Sequence, residues 1–78
     1  MAHTNDDHAI WFPLEQIFSA QQCAEFMYMG SVGSVSQFKH RDTRRYINID
    51  ASSGEFYHYV DREYRKVTKS SAIAHVFG

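Results

Sequence analysis

The sequence predicts an α+β domain, an N-terminal helix packed on an antiparallel meander of three to four strands, closed by a short C-terminal helix in α-β-β-β-α order. Three observations carry this reading. Residues 44–60 alternate aromatic and β-branched side chains around a small polar cluster, Ala51 to Gly54, which is the composition of a β-hairpin. Upstream, Leu14, Ile17, Phe18, Ala24 and Tyr28 recur at helical spacing before Gly30. Downstream, Ser70 and Ser71 stand ahead of Ile73, Val76 and Phe77, an apolar side behind a capping residue.

The 78 residues make one domain, because a chain of this size buries only about 60% of its unfolded surface and has no apolar residues to spare for a second core. Its 44% hydrophobic and 15% aromatic content excludes wholesale disorder. Residues 1–9 are polar and aperiodic and read as a flexible N-terminal segment, leaving 10–78 as the folded unit. No apolar run reaches the roughly 20 residues that span a bilayer, and the N-terminus lacks the order of a signal peptide. With the lone Cys23, this leads us to expect a cytoplasmic protein.

Taken in order, Ala9 to Leu14 is apolar, and Phe12 before Pro13 is biased to extended geometry. The first helix then starts either at Pro13 or at Ser19, where Gln22 completes a capping box, and it ends at Gly30. On that helix Phe26 falls opposite the apolar side, where it would be exposed as a partner anchor. Residues 31–38 favour a strand after a Gly-rich turn. The hairpin follows, with Asp50 opposite Glu55, Ile49 opposite Phe56 and Ile47 opposite His58. Period two gives it a core face of Ile47, Ile49, Phe56 and Val60, and a wet face of Tyr46, Asn48, Tyr57 and Tyr59. Asp61 to Glu63 is a tight turn, 64–68 a further strand and 69–78 the closing helix, capped by Ser70 or Ser71.

Net charge is −1, but its distribution is lopsided: residues 1–38 hold four acidic and no basic side chains, and residues 39–78 hold eight basic and five acidic ones. Such asymmetry fits an oriented encounter with a charged partner. No catalytic constellation emerges. His40-Arg41-Asp42 copies three letters of a kinase catalytic loop without its glycine loop or magnesium ligands. Asp50 and Glu55 face each other at a solvated hairpin mouth, where paired carboxylates do turn chemistry. The histidines lack short ligand spacing, so neither a metal nor another cofactor is expected. A chain this small has little material to enclose and dry a pocket, and we do not expect an enzyme.

Binding chemistry is better represented. Lys39, Arg41, Arg44 and Arg45 adjoin Tyr46, Tyr57 and Tyr59, and Tyr and Arg are preferred anchors of protein interfaces. The same combination serves single-stranded nucleic acid, with charge for phosphate and rings for bases. The element order resembles that of double-stranded RNA-binding domains, and the meander with its following helix, through Gly54 to Tyr59 and Ala72-Ile73, resembles the arm-binding domains of phage-type integrases. Either resemblance implies nucleic-acid binding. The closing helix carries only Lys69 where the first family has a basic cluster, the second leaves residues 1–38 unaccounted for, and no family is assigned.

The sequence therefore leads us to expect a small non-enzymatic binding protein of inhibitor or adaptor type, of a size common among phage and mobile-element proteins. Lys39, Arg41, Arg44, Arg45, Tyr46, Tyr57, Tyr59 and Phe26 are its candidate contacts with a larger protein. A DNA- or RNA-binding module using the 39–45 loop and the tyrosines is the alternative, disfavoured by a pI near 6.5. A free edge strand would add a route to a homodimer.

Overall fold

In the computed structural model, which describes the backbone of residues 2–78 and the side chains of residues 9–78, the chain is an α+β domain built on one five-stranded sheet. Helix α1 (Ala2–Glu15) and a single helical turn, α2 (Ala20–Cys23), precede strands β1 (Phe26–Val32), β2 (Val35–His40), β3 (Tyr46–Asp50), β4 (Phe56–Val60) and β5 (Glu63–Val67), and helix α3 (Lys69–Phe77) closes it. The strands follow one another as an antiparallel meander, β1-β2-β3-β4-β5. No helix of the described residues is long and apolar enough to cross a membrane.

The N-terminal third differs from the sequence reading. Helix α1 begins at Ala2 and carries Pro13 near its end, where the sequence suggests an extended piece over Ala9 to Leu14 and a helix starting at Pro13 or Ser19. Proline lacks the N–H that bonds one turn back. Its neighbours nonetheless hold the helix on the core: Leu14 is fully buried and the Trp11 ring lies 5.3 Å from that of Phe38. The capping box at Ser19 does form, with Gln22 N–H donating to Ser19 Oγ at 3.1 Å and Ser19 N–H to Gln22 Oε1 at 3.0 Å. It starts only one turn of helix. The chain then becomes β1, so the expected helix through Tyr28 and the strand at 31–38 are replaced by a β1–β2 hairpin, and the sheet gains a fifth strand. Gly30, at φ 113°, adopts a conformation no helix uses and sits at a bulge in the β1–β2 register. Phe26 and Tyr28 instead alternate inward, paired with His40 and Phe38.

Phe26 is thereby corrected. It is 1% exposed, its ring stacked 5.5 Å from Phe18 and edge-on to His40 at 5.0 Å, and it cannot anchor a partner. The core also contains Leu14, Phe38, Ile47, Ile49, Phe56, Ala72 and Val76, contributed by both long helices and four strands. The closing helix is capped by Thr68, whose hydroxyl accepts from Ser71 N–H, rather than by Ser70 or Ser71.

The central hairpin keeps Asp50 opposite Glu55 and Ile49 opposite Phe56, as the sequence suggests, but the expected Ile47–His58 pair does not form: Ile47 pairs with Phe38 of β2 and His58 with Arg65 of β5. Asp50 organises its loop by accepting from the Ser52 N–H at 2.9 Å and the Ser52 hydroxyl at 2.6 Å. The β4–β5 turn uses Asp61 and Arg62 at φ 52° and 65°, the pair of left-handed residues that a type I′ hairpin requires. Val60, expected in the core, is 42% exposed beside this turn.

Candidate functional site

Trp11 and Leu14 of α1 and Ala72 and Val76 of α3 pack into the same core as Phe38, Ile47 and Phe56, so the two helices cover one face of the sheet. Strand alternation puts Gln37 and Lys39 of β2, Tyr46 and Asn48 of β3, Tyr57 and Tyr59 of β4, and Tyr64 and Lys66 of β5 on the other face. The expectation of an aromatic open face is met in part. Tyr59 is 58% exposed and packs 4.9 Å from Tyr64, while the Tyr57 ring meets Tyr64 edge-on at 6.5 Å. Gln37 donates from Nε2 to the Tyr64 hydroxyl, joining β2 to β5 across the two intervening strands. Asn48, expected to be wet, is only 3% exposed.

Charge on this face is divided along the strands. At one end Lys66 Nζ lies 2.6 Å from Glu55 Oε2, and Tyr57 donates its hydroxyl to Glu55 Oε1 at 3.3 Å. The Lys66 contact holds the Glu55 carboxyl below its usual range, while desolvation and the Glu55 charge push the Tyr57 phenol up. At the other end Lys39 lies over the Tyr46 ring, 5.8 Å from its centroid, within cation–π range. Among the described residues no carboxylate reaches ion-pair distance of Lys39, Arg44 or Arg45. Arg44 stands at φ 64° in the β2–β3 loop.

Between these ends the sheet parts. Strands β3 and β4 pair only at Asn48–Tyr57 and Ile49–Phe56, and beyond that point Tyr46 and Ile47 pair with β2 while His58 to Val60 pair with β5. The gap is a cleft of about 580 Å³ whose lining includes Arg44, Arg45, Tyr46, Asn48, His58, Tyr59 and His75, together with Gln37 and Val60. Asn48 donates from Nδ2 to the Tyr57 carbonyl at 3.1 Å. The His58 and His75 rings stand 4.6 Å apart, and Arg45 donates from Nη1 to the His75 carbonyl at 3.2 Å, pinning the guanidinium to the end of α3. Burial, then the charges of His58 and Arg45, hold the His75 imidazole below its ordinary value.

Four of the residues singled out by sequence, Arg44, Arg45, Tyr46 and Tyr59, thus line one cleft. Lys39 and Tyr57 flank it on the open face. Arg41 is separated from them, lining a shallow hollow with Trp11, Glu15, Cys23 and Phe26. Asn48, His58, Tyr64 and His75 were missed as site residues. The available signal was His58 itself, a polar side chain at a core-face position of an otherwise apolar strand pattern. Among the described residues no group of three or more His, Cys, Asp or Glu is placed to hold a metal, and the side chains of His3 and His8 lie outside the described residues. Compared with protein families, with curated proteins and with solved structures, the chain finds no match in any of the three.

Proposed function

We propose that the chain is a small binding protein of inhibitor or adaptor type that docks a larger protein through the open face of its sheet. The observation that carries this reading is the one-sidedness of the packing, with both long helices on the same face and Tyr46, Tyr59 and Lys39 left on the other. Tyrosine offers large, rigid, amphipathic contact area, and the exposed Arg44 beside it can meet carboxylates of a partner. The partner surface that fits is acidic at the Arg44 end and supplies apolar or aromatic groups over Tyr59.

A nucleic-acid target is the second reading, favoured by Lys39, Arg44 and Arg45, which among the described residues have no carboxylate at ion-pair distance, and by the adjoining rings. The test is affinity capture from the native host with wild type and with Lys39→Glu and Tyr59→Ala. A protein captured by the wild type and lost with both variants, after nuclease treatment, supports the proposal. Captured material that nuclease removes replaces it with the second reading, and capture unchanged in both variants overturns the use of this face.

A further inference from the structure

The cleft between β3 and β4 has a chemistry of its own. Arg44, Arg45, His58 and His75 converge on it, and no carboxylate lines it. The site therefore favours an anion. A single guanidinium fork satisfies a carboxylate; two guanidinium groups and an imidazole pair suit the greater charge and the additional oxygens of a phosphate. The cleft also demands a donor. Asn48 commits its amide nitrogen to the Tyr57 carbonyl, which fixes its oxygen as an acceptor, and that buried oxygen has no partner within the protein. His58 Nε2 is likewise buried without a partner. Buried polar atoms in native structures are almost always hydrogen-bonded, and both orphans belong to residues that line this one cavity. Tyr46 and Tyr59 complete the lining with aromatic surface, on which a planar ring stacks. The volume, about 580 Å³, lies in the usual range of small-molecule sites.

We propose that this cleft binds a phosphate monoester carrying hydroxyl groups, with a nucleoside monophosphate as the class that fits its charge, its orphan acceptor and its aromatic walls. The phosphate lies against Arg44, Arg45 and the His58–His75 pair, a sugar hydroxyl donates to Asn48 Oδ1, and the base lies against the tyrosines. The inference concerns a small ligand; it shares Arg44, Arg45, Tyr46 and Tyr59 with the proposed docking face but does not depend on the identity of the macromolecule there.

Titrating the isolated protein with adenosine 5′-monophosphate, ribose 5-phosphate, inorganic phosphate and adenosine, and following the imidazole C–H signals of His58 and His75 by NMR, tests it. The monophosphate is expected to shift both histidines saturably, more tightly than ribose 5-phosphate, with inorganic phosphate weaker again and adenosine weakest. Arg44→Gln should weaken binding about tenfold, the worth of one charge-assisted contact, and Asn48→Asp should abolish it by placing a carboxylate in the cleft. Arg44 is exposed, so its variant carries the test if Asn48→Asp does not fold. Absence of a saturable shift up to about 10 mM monophosphate overturns the proposal. Equal affinity for inorganic phosphate and the ester overturns the assignment of the donor and ring subsites. Failure here leaves the docking face untouched, because that reading is tested with macromolecules and other variants.

Discussion

His40 donates from Nε2 to Oε1 of Glu25 at 2.9 Å, while its Nδ1 accepts the backbone N–H of Thr43 at 3.2 Å. The second bond fixes the tautomer, since a ring nitrogen that accepts carries no proton. One buried imidazole thus ties the residue before β1 to the end of β2 and to the loop that presents Arg44. His40→Ala should cost about 2–3 kcal/mol, through lost packing against Phe26 and Phe77 and an unsatisfied Thr43 N–H. Glu25→Gln, at a half-exposed position whose amide oxygen still accepts, should cost less than about 1 kcal/mol. Urea denaturation of the two variants measures the contrast, and equal losses would show that the pair acts through its charge rather than through the buried ring.

Phe26→Ala should destabilise the domain by about 3–5 kcal/mol, the range for a large aromatic removed from a core. A small domain has about that much to lose, so the variant is expected to be largely unfolded by circular dichroism at room temperature. A folded variant with an unchanged melting temperature would restore the exposed position that helical spacing suggests.

Arg62→Gly should stabilise the protein. Arg62 holds φ 65° as the second central residue of the β4–β5 turn, a conformation costing an L-residue about 1–2 kcal/mol that glycine does not meet. After the added entropy of an unfolded glycine, a net gain of about 0.5–1 kcal/mol remains, or several degrees in Tm by calorimetry. A lower Tm would mean that the Arg62 side chain contributes more than its backbone costs.

Acidification should weaken the fold in two windows. Ser52 hydrogen bonds lower the Asp50 carboxyl, so its contribution is complete above the ordinary carboxylate value near 3.9 and is lost as pH falls through the lower folded value. The His75 imidazole is lowered by burial and by the His58 and Arg45 charges. The unfolded chain therefore takes up that proton first, and stability begins to fall as pH drops below about 6.5. Urea midpoints from about pH 8 to 3 should decline in both windows. His75→Gln should flatten the upper window and Asp50→Asn the lower; a slope unchanged by either variant removes the corresponding assignment.

What the sequence disclosed was local. Residues 46–60 show their hairpin, its loop and the pairing next to it because alternation and the Ala51–Gly54 cluster agree with the tertiary outcome there, whereas the expected Ile47–His58 pair is lost where the strands part. The Ser19 capping box was equally readable. Strand β1 was not, because Phe18, Ala24 and Tyr28 satisfy helical spacing while Phe26 and Tyr28 satisfy strand spacing, and the contest is decided by pairing with Phe38 and His40 elsewhere in the chain. Gly30 fits a helix stop by sequence pattern alone but marks a bulge in the β1–β2 register. The cleft was legible only in pieces: Arg44, Arg45, Tyr46 and Tyr59 stand near one another in sequence, but His75 arrives on α3, and the parting of β3 from β4 leaves no local pattern.

That parting divides the sheet into two panels, β1-β2-β3 and β4-β5, stitched along two residue pairs. Helix α3 lies against β2, β3 and β4 and so straddles the seam, fastened at its far end when Thr43 donates its hydroxyl to the Val76 carbonyl at 2.6 Å. The panels should behave as separate cooperative units in native-state hydrogen exchange, with amides of β4 and β5 opening at lower free energy than those of β2. Thr43→Val, which cuts the fastening, should widen that difference. Anything lodged between the panels would then act as a wedge or a clasp, setting how far the open face can flex when a partner arrives.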